Sequence, residues 1–275
     1  MPGARRHFAF RPRNAAVCAA RAAALGNHAT LPYVRAVHTQ AIPYDVAGTT
    51  YIGYLARPDG TDRGAGVLIC HEGNGLGPQV KDRAHQLAEL GYVAFAVDYI
   101  GGGEVLQDLP TMMAKLGTLR GQPAFVRSLG RAGLAVLTGL PDVEPARVAA
   151  IGYCFGGTFA LELARDGAEL AAVVAFHAGL GTANPGDAQQ IRAKILACIG
   201  ADDPLVPAEE RLAFEREMRA TKVDWRLELY GNAVHGFANP NAGKLGNPAV
   251  QYHEPSHRRS WRSMLELFGE TIGPR

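Results

Sequence analysis

Five short, mostly apolar runs, separated by helical or loop stretches, constrain the fold of this chain more than any other feature. They cover residues 66–70, 92–97, 148–152, 171–176 and 194–199. Runs of this length are typical of strands that are buried on both faces of a parallel sheet. Strand and helix alternate along the chain, which also favours a parallel sheet. The sequence therefore predicts an α/β fold, with a mostly parallel central sheet and helices on both faces.

Two further β-rich runs precede this pattern and predict a β-hairpin. They cover residues 35–46 and 49–57, are separated by Gly48, and end at Pro58. The chain has 275 residues, 47% of them hydrophobic, and is long enough to bury one full core. We therefore expect residues 34–275 to form a single domain.

The first 33 residues differ in composition from the rest. Every basic residue before Asp45 is an arginine, and no acidic residue precedes Asp45. This composition predicts a disordered or extended N-terminal segment. A targeting segment and a misplaced start of the reading frame are the alternatives.

Bulk composition excludes several classes of partner. A net charge of +2 gives no reason to expect nucleic acid, and no stretch approaches the roughly 18 apolar residues of a membrane span. The four cysteines are too scattered for a disulfide framework or a Cys-x-x-Cys metal site. We expect a cytoplasmic monomer or small homo-oligomer that acts on a small molecule and needs no cofactor or metal.

The strongest chemical signal is Gly152-Tyr153-Cys154-Phe155-Gly156-Gly157, between an apolar strand and a helix. A nucleophile on such a sharp turn needs small residues two positions before and after it, and glycine stands at both positions. The helix N-terminus favours a thiolate, and its free N–H groups stabilise an oxyanion. Cys154 is therefore the candidate nucleophile. The alternative is a structural cysteine beside packing glycines.

A histidine in the last loop is the candidate base. His235 follows the final strand, which gives the chain order nucleophile, acid, histidine that is typical of α/β-hydrolases. Its imidazole, which titrates near neutral pH, would take the thiol proton and return it to the leaving group. A capping or core histidine is the alternative reading. His253 and His257 stand where the last helix begins, and we interpret them as surface or capping residues.

The orienting carboxylate should follow the run at 194–199, where Asp202 and Asp203 stand side by side. Either could hold the imidazole tautomer. An aspartate before Pro204 could equally be a turn residue. The residues alone do not separate these possibilities.

The loop after the run at 66–70 contributes a carboxylate and an oxyanion donor. Glu72 could regulate Cys154 or accept its proton, and the alternative is a solvated loop glutamate. Gly73 would supply the second oxyanion N–H beside that of Phe155. The following Gly-Asn-Gly-Leu-Gly-Pro superficially resembles a dinucleotide-binding turn with Asp98 further on, but Pro78 occupies the third glycine position. We therefore set an oxidoreductase aside.

With these residues in place, the chain resembles the dienelactone hydrolase family, a cysteine-using branch of the α/β-hydrolases. The resemblance covers about residues 42–269 and implies an α/β-hydrolase fold. It selects Asp203 over Asp202, and it implies that Glu72 contacts the thiol and helps to activate it when substrate arrives. The motifs that carry it are His71-Glu72-Gly73, the six residues 152–157, Gly200-x-x-Asp203-x-x-Val206 and His235-Gly236-Phe237.

Two departures from the family concern the substrate. Members that act on dienelactone carry an arginine shortly after the strand equivalent to 92–97 and another four residues after the catalytic histidine. Here residues 98–103 contain no arginine and the second position is Asn239. Bidentate recognition of a carboxylate is hard to replace, so the resemblance supports the reaction type better than dienelactone itself. Arg83, Arg120 or Arg127 could substitute from elsewhere.

The sequence thus predicts a carboxylic ester or lactone hydrolase with a triad of Cys154, His235 and Asp203. Its nucleophile would attack a small ester or lactone, and water would then cleave the thioester. A thioesterase or acyltransferase would use the same triad. A non-catalytic binding module of the same fold is the alternative from another class.

Overall fold

The structure, a computed structural model, describes residues 36–60 and 63–273. The predicted disordered or extended segment at 1–33 lies outside these residues. Within them, no helix is long and apolar enough to cross a membrane.

Eight strands form one sheet in the order β1-β2-β4-β3-β5-β6-β7-β8. The β1–β2 and β2–β4 pairs are antiparallel, and every other neighbouring pair is parallel. The predicted mostly parallel sheet is therefore confirmed. The strands are β1 (Val37–Val46), β2 (Thr49–Pro58), β3 (Gly64–Cys70), β4 (Val93–Val97), β5 (Val143–Tyr153), β6 (Ala172–Phe176), β7 (Lys194–Gly200) and β8 (Trp225–Tyr230).

Six α-helices connect or follow these strands, and two short 3-10 helices, Pro185–Gln190 and Ala242–Leu245, lie in the loops after β6 and β8. The irregular stretch after β4 contains two helices rather than one, because the chain breaks at Gly121 and Gln122 before Pro123 starts the second. The helices are α1 (Pro78–Glu89), α2 (Leu109–Arg120), α3 (Pro123–Thr138), α4 (Phe155–Arg165), α5 (Ala208–Arg219) and α6 (Glu254–Thr271).

The sheet separates two apolar cores, as expected when helices cover both faces. Leu129 of α3 and Phe159 of α4 pack in the core on one face. Leu87 of α1 and Phe268 of α6 pack in the core on the other. The five strands predicted from apolar runs are buried along most of their length, since both of their faces meet helices.

The N-terminal hairpin has a tight two-residue turn. Ala47 and Gly48 both have positive φ, 51° and 80°, which is the backbone of a type I′ turn and matches the twist of the flanking strands. The β1–β2 pair then continues without interruption from Val46 opposite Thr49 to Val37 opposite Pro58. The hairpin predicted from the sequence is present, and it extends the sheet on the β4 side.

Glycine at position 156 is a steric requirement of this fold. A Cβ there would lie 2.2 Å from the carbonyl oxygen of Cys70 and 2.3 Å from that of His71, both of which belong to the backbone. We expect Gly156→Ala to cost about 3 kcal/mol of unfolding free energy or more, because strand and helix must separate. Urea unfolding measures this loss.

Gly117 in the middle of α2 is the matched control. A Cβ there meets nothing within 4 Å, so Gly117→Ala should raise the unfolding free energy by about 0.5–1 kcal/mol through helix propensity. Equal effects of the two substitutions would contradict the packing described for Gly156.

Candidate active site

Cys154 lies on a strained turn between β5 and α4. Its backbone has φ 55° and ψ −125°, a conformation that non-glycine residues rarely adopt. A Cβ on Gly152 would lie 2.0 Å from the carbonyl oxygen of Gly156. The glycines flanking the cysteine therefore let strand and helix meet, as the sequence predicts, and Cys154 remains partly exposed.

The loop after β3 packs directly against this turn. The carbonyl oxygens of Cys70 and His71 approach the Cα of Gly156, which places Glu72 and Gly73 beside the nucleophile turn. Phe155 is the first residue of α4, and the first N–H groups of a helix have no partner within it. The two predicted oxyanion donors, Phe155 and Gly73, therefore belong to neighbouring segments.

His235 and Asp203 form a buried pair at the ends of β8 and β7. The N–H at Nδ1 of His235 donates to Oδ2 of Asp203 over 2.8 Å. The other carboxylate oxygen accepts the backbone N–H of Leu205, also at 2.8 Å. This bond fixes the imidazole so that Nε2 is the atom left to act as a base.

The pKa of His235 reflects the thiol beside it. Burial is the largest single influence and lowers this pKa, but negative charge on Cys154 and the hydrogen bond to Asp203 outweigh it and raise the pKa to about 10. Nε2 of His235 has no hydrogen-bond partner among the described residues. The arrangement therefore favours the protonated form of the His235 imidazole.

The geometry distinguishes Asp203 from Asp202. Asp203 is buried and bonded to the imidazole, whereas the side chain of Asp202 is exposed. The backbone N–H of Asp202 donates to the carbonyl of Ala233, so this residue has a role in the loop without its carboxylate. The structure thus pairs His235 with Asp203, the aspartate that the family resemblance selects.

Glu72 is held by a residue that the sequence did not connect with it. Nδ2 of Asn239 donates to Oε2 of Glu72 over 2.6 Å. Oδ1 of Asn239 accepts the backbone N–H of Asn241, which fixes the amide. Burial raises the pKa of Glu72, while Asn239, His235 and Arg83 act in the opposite direction. The carboxylate of Glu72 is therefore held by Asn239 rather than free in solvent.

A second histidine, His177, packs against His235 and was not expected from the sequence. It follows β6, is fully buried and has a positive φ of 39°. The two imidazole centroids are 5.2 Å apart. Neither ring nitrogen of His177 has a partner among the described residues, and burial lowers its pKa well below the usual value. A neutral ring next to the base adds no competing charge. Its place at a strand end was the available signal.

The three arginines considered as carboxylate ligands have different surroundings. Arg127 forms ion pairs with Glu162 and Asp187. Arg120 is exposed, with its guanidinium 5.7 Å from the ring centroid of Phe155. Arg83 is buried, and its guanidinium donates to the carbonyl of Ala238. Only Arg120 among these three is both solvent-exposed and close to the nucleophile turn.

Asp98, which follows the segment that resembles a dinucleotide-binding turn, has a structural role. The carboxylate of Asp98 accepts backbone N–H groups from Ile52, Ile100, Gly101 and Gly103. These bonds occupy both carboxylate oxygens of Asp98 and join its loop to β2. Asp98 is therefore not free to bind a nucleotide. Within the described part of the chain, no group of three or more histidine, cysteine or acidic residues could hold a metal ion.

Comparison with known proteins identifies the family of this chain. The sequence model of the dienelactone hydrolase family matches residues 52–272. The chain belongs to this family. The dienelactone hydrolase resemblance of the motifs is thereby confirmed, and with it the hydrolase class of the enzyme.

Solved dienelactone hydrolase relatives have the same fold. One, named m3DLH, is 41% identical, covers 86% of this chain and 99% of its own, and has a TM-score of 0.83. A dienelactone hydrolase-like promiscuous phosphotriesterase from metagenomic libraries is 40% identical, covers 86% of this chain and all of its own, with the same TM-score. A Salmonella typhimurium protein named as a carboxymethylenebutenolidase is 27% identical and covers 80% of this chain and 83% of its own.

The bond between Asp203 and His235 leads to a test with adjacent aspartates. Asp203→Asn keeps the shape of the side chain, but its amide can form a hydrogen bond with the wrong tautomer of the imidazole. We therefore expect kcat to fall by about 10³- to 10⁴-fold on an activated ester. Asp202→Asn changes an exposed carboxylate and should leave kcat within about twofold. If the Asp202 variant lost activity and the Asp203 variant did not, the assignment would be wrong.

The raised pKa of His235 leads to a test without substrate. Removing the thiol in Cys154→Ala removes the charge that raises this pKa, while the burial that lowers it remains. The midpoint of His235, followed by ¹³Cε1 NMR, should therefore lie near pH 10 in the wild type and fall in the variant. An unchanged midpoint would show that Cys154 and His235 do not interact.

Proposed function

We propose that this enzyme hydrolyses small esters or lactones through a triad of Cys154, His235 and Asp203. The observation that carries the proposal is the buried 2.8 Å bond between His235 and Asp203, which leaves Nε2 beside the thiol on a strained nucleophile turn. A nucleophile, a base and a group that orients the base are the parts that acyl transfer requires.

The reaction proceeds in two steps. The thiolate of Cys154 attacks the carbonyl carbon, and the N–H groups of Phe155 and Gly73 stabilise the negative oxygen that forms. The imidazolium of His235 then donates its proton to the departing alkoxide, which leaves a thioester on Cys154. Water, deprotonated by His235, attacks the thioester and releases the acid, which restores the thiolate of Cys154 and the imidazolium of His235.

Glu72 provides a second acceptor for the thiol proton. It lies beside the nucleophile turn, bonded to Asn239 in the resting state. Release from that amide would let the carboxylate approach the thiol. Because burial raises its pKa, Glu72 is a stronger proton acceptor than an exposed glutamate.

The substrate is proposed to be uncharged around the scissile bond. Dienelactone carries a carboxylate, which family members bind with an arginine four residues after the catalytic histidine. Here this position is Asn239, whose amide donates to Glu72. A neutral amide does not offset the charge of a carboxylate, whereas a guanidinium does. The proposed class is therefore a small neutral ester or lactone.

A substrate panel with two cysteine variants tests the proposal. The wild type should cleave a short-chain nitrophenyl ester and leave dienelactone largely intact. Cys154→Ala should lower turnover of the ester by about 10³-fold or more, because no nucleophile remains. Cys198→Ala removes a buried thiol from β7 and should keep full activity. Near-UV circular dichroism checks that both variants are folded.

Each other outcome has a definite meaning. Activity retained in Cys154→Ala would overturn the thiol mechanism. Equal cleavage of dienelactone and the neutral ester would overturn the neutral-substrate class. Cleavage of thioesters in preference to oxygen esters would favour a thioesterase with the same triad. A folded wild type that cleaves nothing in the panel would favour a non-catalytic binding module.

A second candidate activity is hydrolysis of phosphate triesters. The observation in its favour is the 40% identity to the structure named as a promiscuous phosphotriesterase. Triesters are neutral, which agrees with the substrate class proposed above, and the same oxyanion donors could bind a phosphoryl oxygen. A nitrophenyl dialkyl phosphate belongs in the same panel, and turnover that survives Cys154→Ala would show that it is not an activity of this site.

A further inference from the structure

Arg83 is a buried cation to which the proposed reaction assigns no role. It lies on α1, is 4% exposed, and forms no ion pair with a carboxylate among the described residues. Its Nη1 donates to Gln86 over 2.7 Å, and its Nε has no partner there. Burying a guanidinium without a carboxylate is costly, so such a residue calls for a physical explanation.

Arg83 contacts two segments that carry site residues, the loop after β8 and the end of β5. Nη2 donates to the carbonyl of Ala238 over 2.8 Å, and the next residue is Asn239, which binds Glu72. The guanidinium carbon lies 5.9 Å from the ring centroid of Tyr153, the residue before Cys154. A third contact, 5.2 Å to the ring centroid of Trp261, comes from α6 and completes its enclosure.

The hydrogen bond from Arg83 to Ala238 fixes the backbone next to Asn239. The peptide that links Ala238 to Asn239 is held by the guanidinium at its carbonyl, one bond from the residue whose amide must reach Glu72. Arginine suits this task because its planar group donates to Gln86 and to the loop at once, which an ammonium on a flexible chain does not reproduce.

Among the groups near Glu72, Arg83 carries the charge that does not change with pH. The other titratable groups that act on Glu72, or are affected by its charge, are Tyr99, Tyr153 and His235. Burial raises the pKa of Tyr99 well above 10 and that of Tyr153 to about 12, so both rings are neutral near pH 7. His235 gives up its proton during the reaction, whereas a guanidinium keeps its charge throughout.

We propose that Arg83 is a positioning residue of this active site: it fixes the loop that carries Asn239, and it supplies a constant buried charge that acts on the carboxylate of Glu72 together with the amide of Asn239. This role rests on the proposed thiol chemistry, in which Glu72 is a second acceptor for the proton of Cys154. It assigns no contact between Arg83 and the substrate.

The test separates charge from geometry with three variants at this position. Arg83→Met and Arg83→Gln remove the charge, and Arg83→Lys keeps the charge but loses one of the two hydrogen bonds. The Glu72 midpoint is followed by ¹³Cδ NMR in glutamate-labelled protein, with the resonance assigned by its absence in Glu72→Gln. The pH profile of kcat/KM on the neutral ester is the second readout.

We expect both neutral variants to raise the Glu72 midpoint and to move the acid limb of kcat/KM upward in parallel, because a nearby positive charge that lowers the pKa of Glu72 is lost. Arg83→Lys should leave both midpoints within about 0.3 unit but lower kcat about tenfold, because the loop is less well fixed. In the Glu72→Gln background, Arg83→Met should no longer move the acid limb, since the two residues act as a unit.

A buried arginine elsewhere provides the matched control. Arg165 is fully buried and bonded to Glu217 and Glu162, away from the site residues. Arg165→Lys should lower the melting temperature without moving the Glu72 midpoint or the acid limb. An equal loss of kcat in Arg165→Lys and Arg83→Lys, or no midpoint shift in either neutral Arg83 variant, would overturn the proposal and leave Arg83 as a packing residue.

The NMR midpoint is measured without substrate, so it does not depend on the hydrolase activity. A shifted Glu72 midpoint in a protein that hydrolyses nothing would support the coupling and contradict the proposed function. An active enzyme with an unshifted midpoint would do the reverse.

Discussion

The close approach of three backbone segments around Cys154 is the constraint on which the rest of the site depends. The nucleophile turn holds its left-handed backbone because the N–H of Cys154 donates to the carbonyl of Phe176 over 3.0 Å, and because the glycines at 152 and 156 leave room for the helix and for the end of β3. A strained residue of this kind costs about 1–3 kcal/mol and persists only where the surroundings determine it. Here the pairing of β5 with β3 and β6 determines it.

The parallel register then explains why residues far apart in sequence meet. β3, β5, β6, β7 and β8 are adjacent and run in the same direction, so their carboxyl ends form one edge of the sheet. Each end contributes one side chain to that edge: Glu72, Cys154, His177, Asp203 and His235. A change of strand order would disperse this set even if every element kept its own structure.

The sequence predicts the elements well because burial on both faces leaves a continuous apolar run, which is a strong local signal. It also selects Cys154 and His235 as candidates, since the glycines and the final loop are local features. It does not separate Asp202 from Asp203, because the difference lies in which carboxylate faces an imidazole 32 residues away. The bond from Asn239 to Glu72 spans 167 residues, and the contact from Arg83 to Ala238 spans 155. No local pattern encodes such pairs.

The amide at position 239 changes how charge is balanced beside the thiol. A guanidinium there would place a positive charge beside the carboxylate of Glu72. Asn239 holds the same carboxylate by a neutral hydrogen bond, and the positive charge lies instead on Arg83, buried and fixed on α1. The charge balance of Glu72 then does not depend on the charge of a substrate, because the guanidinium of Arg83 is fixed. This arrangement agrees with the neutral substrate class proposed above.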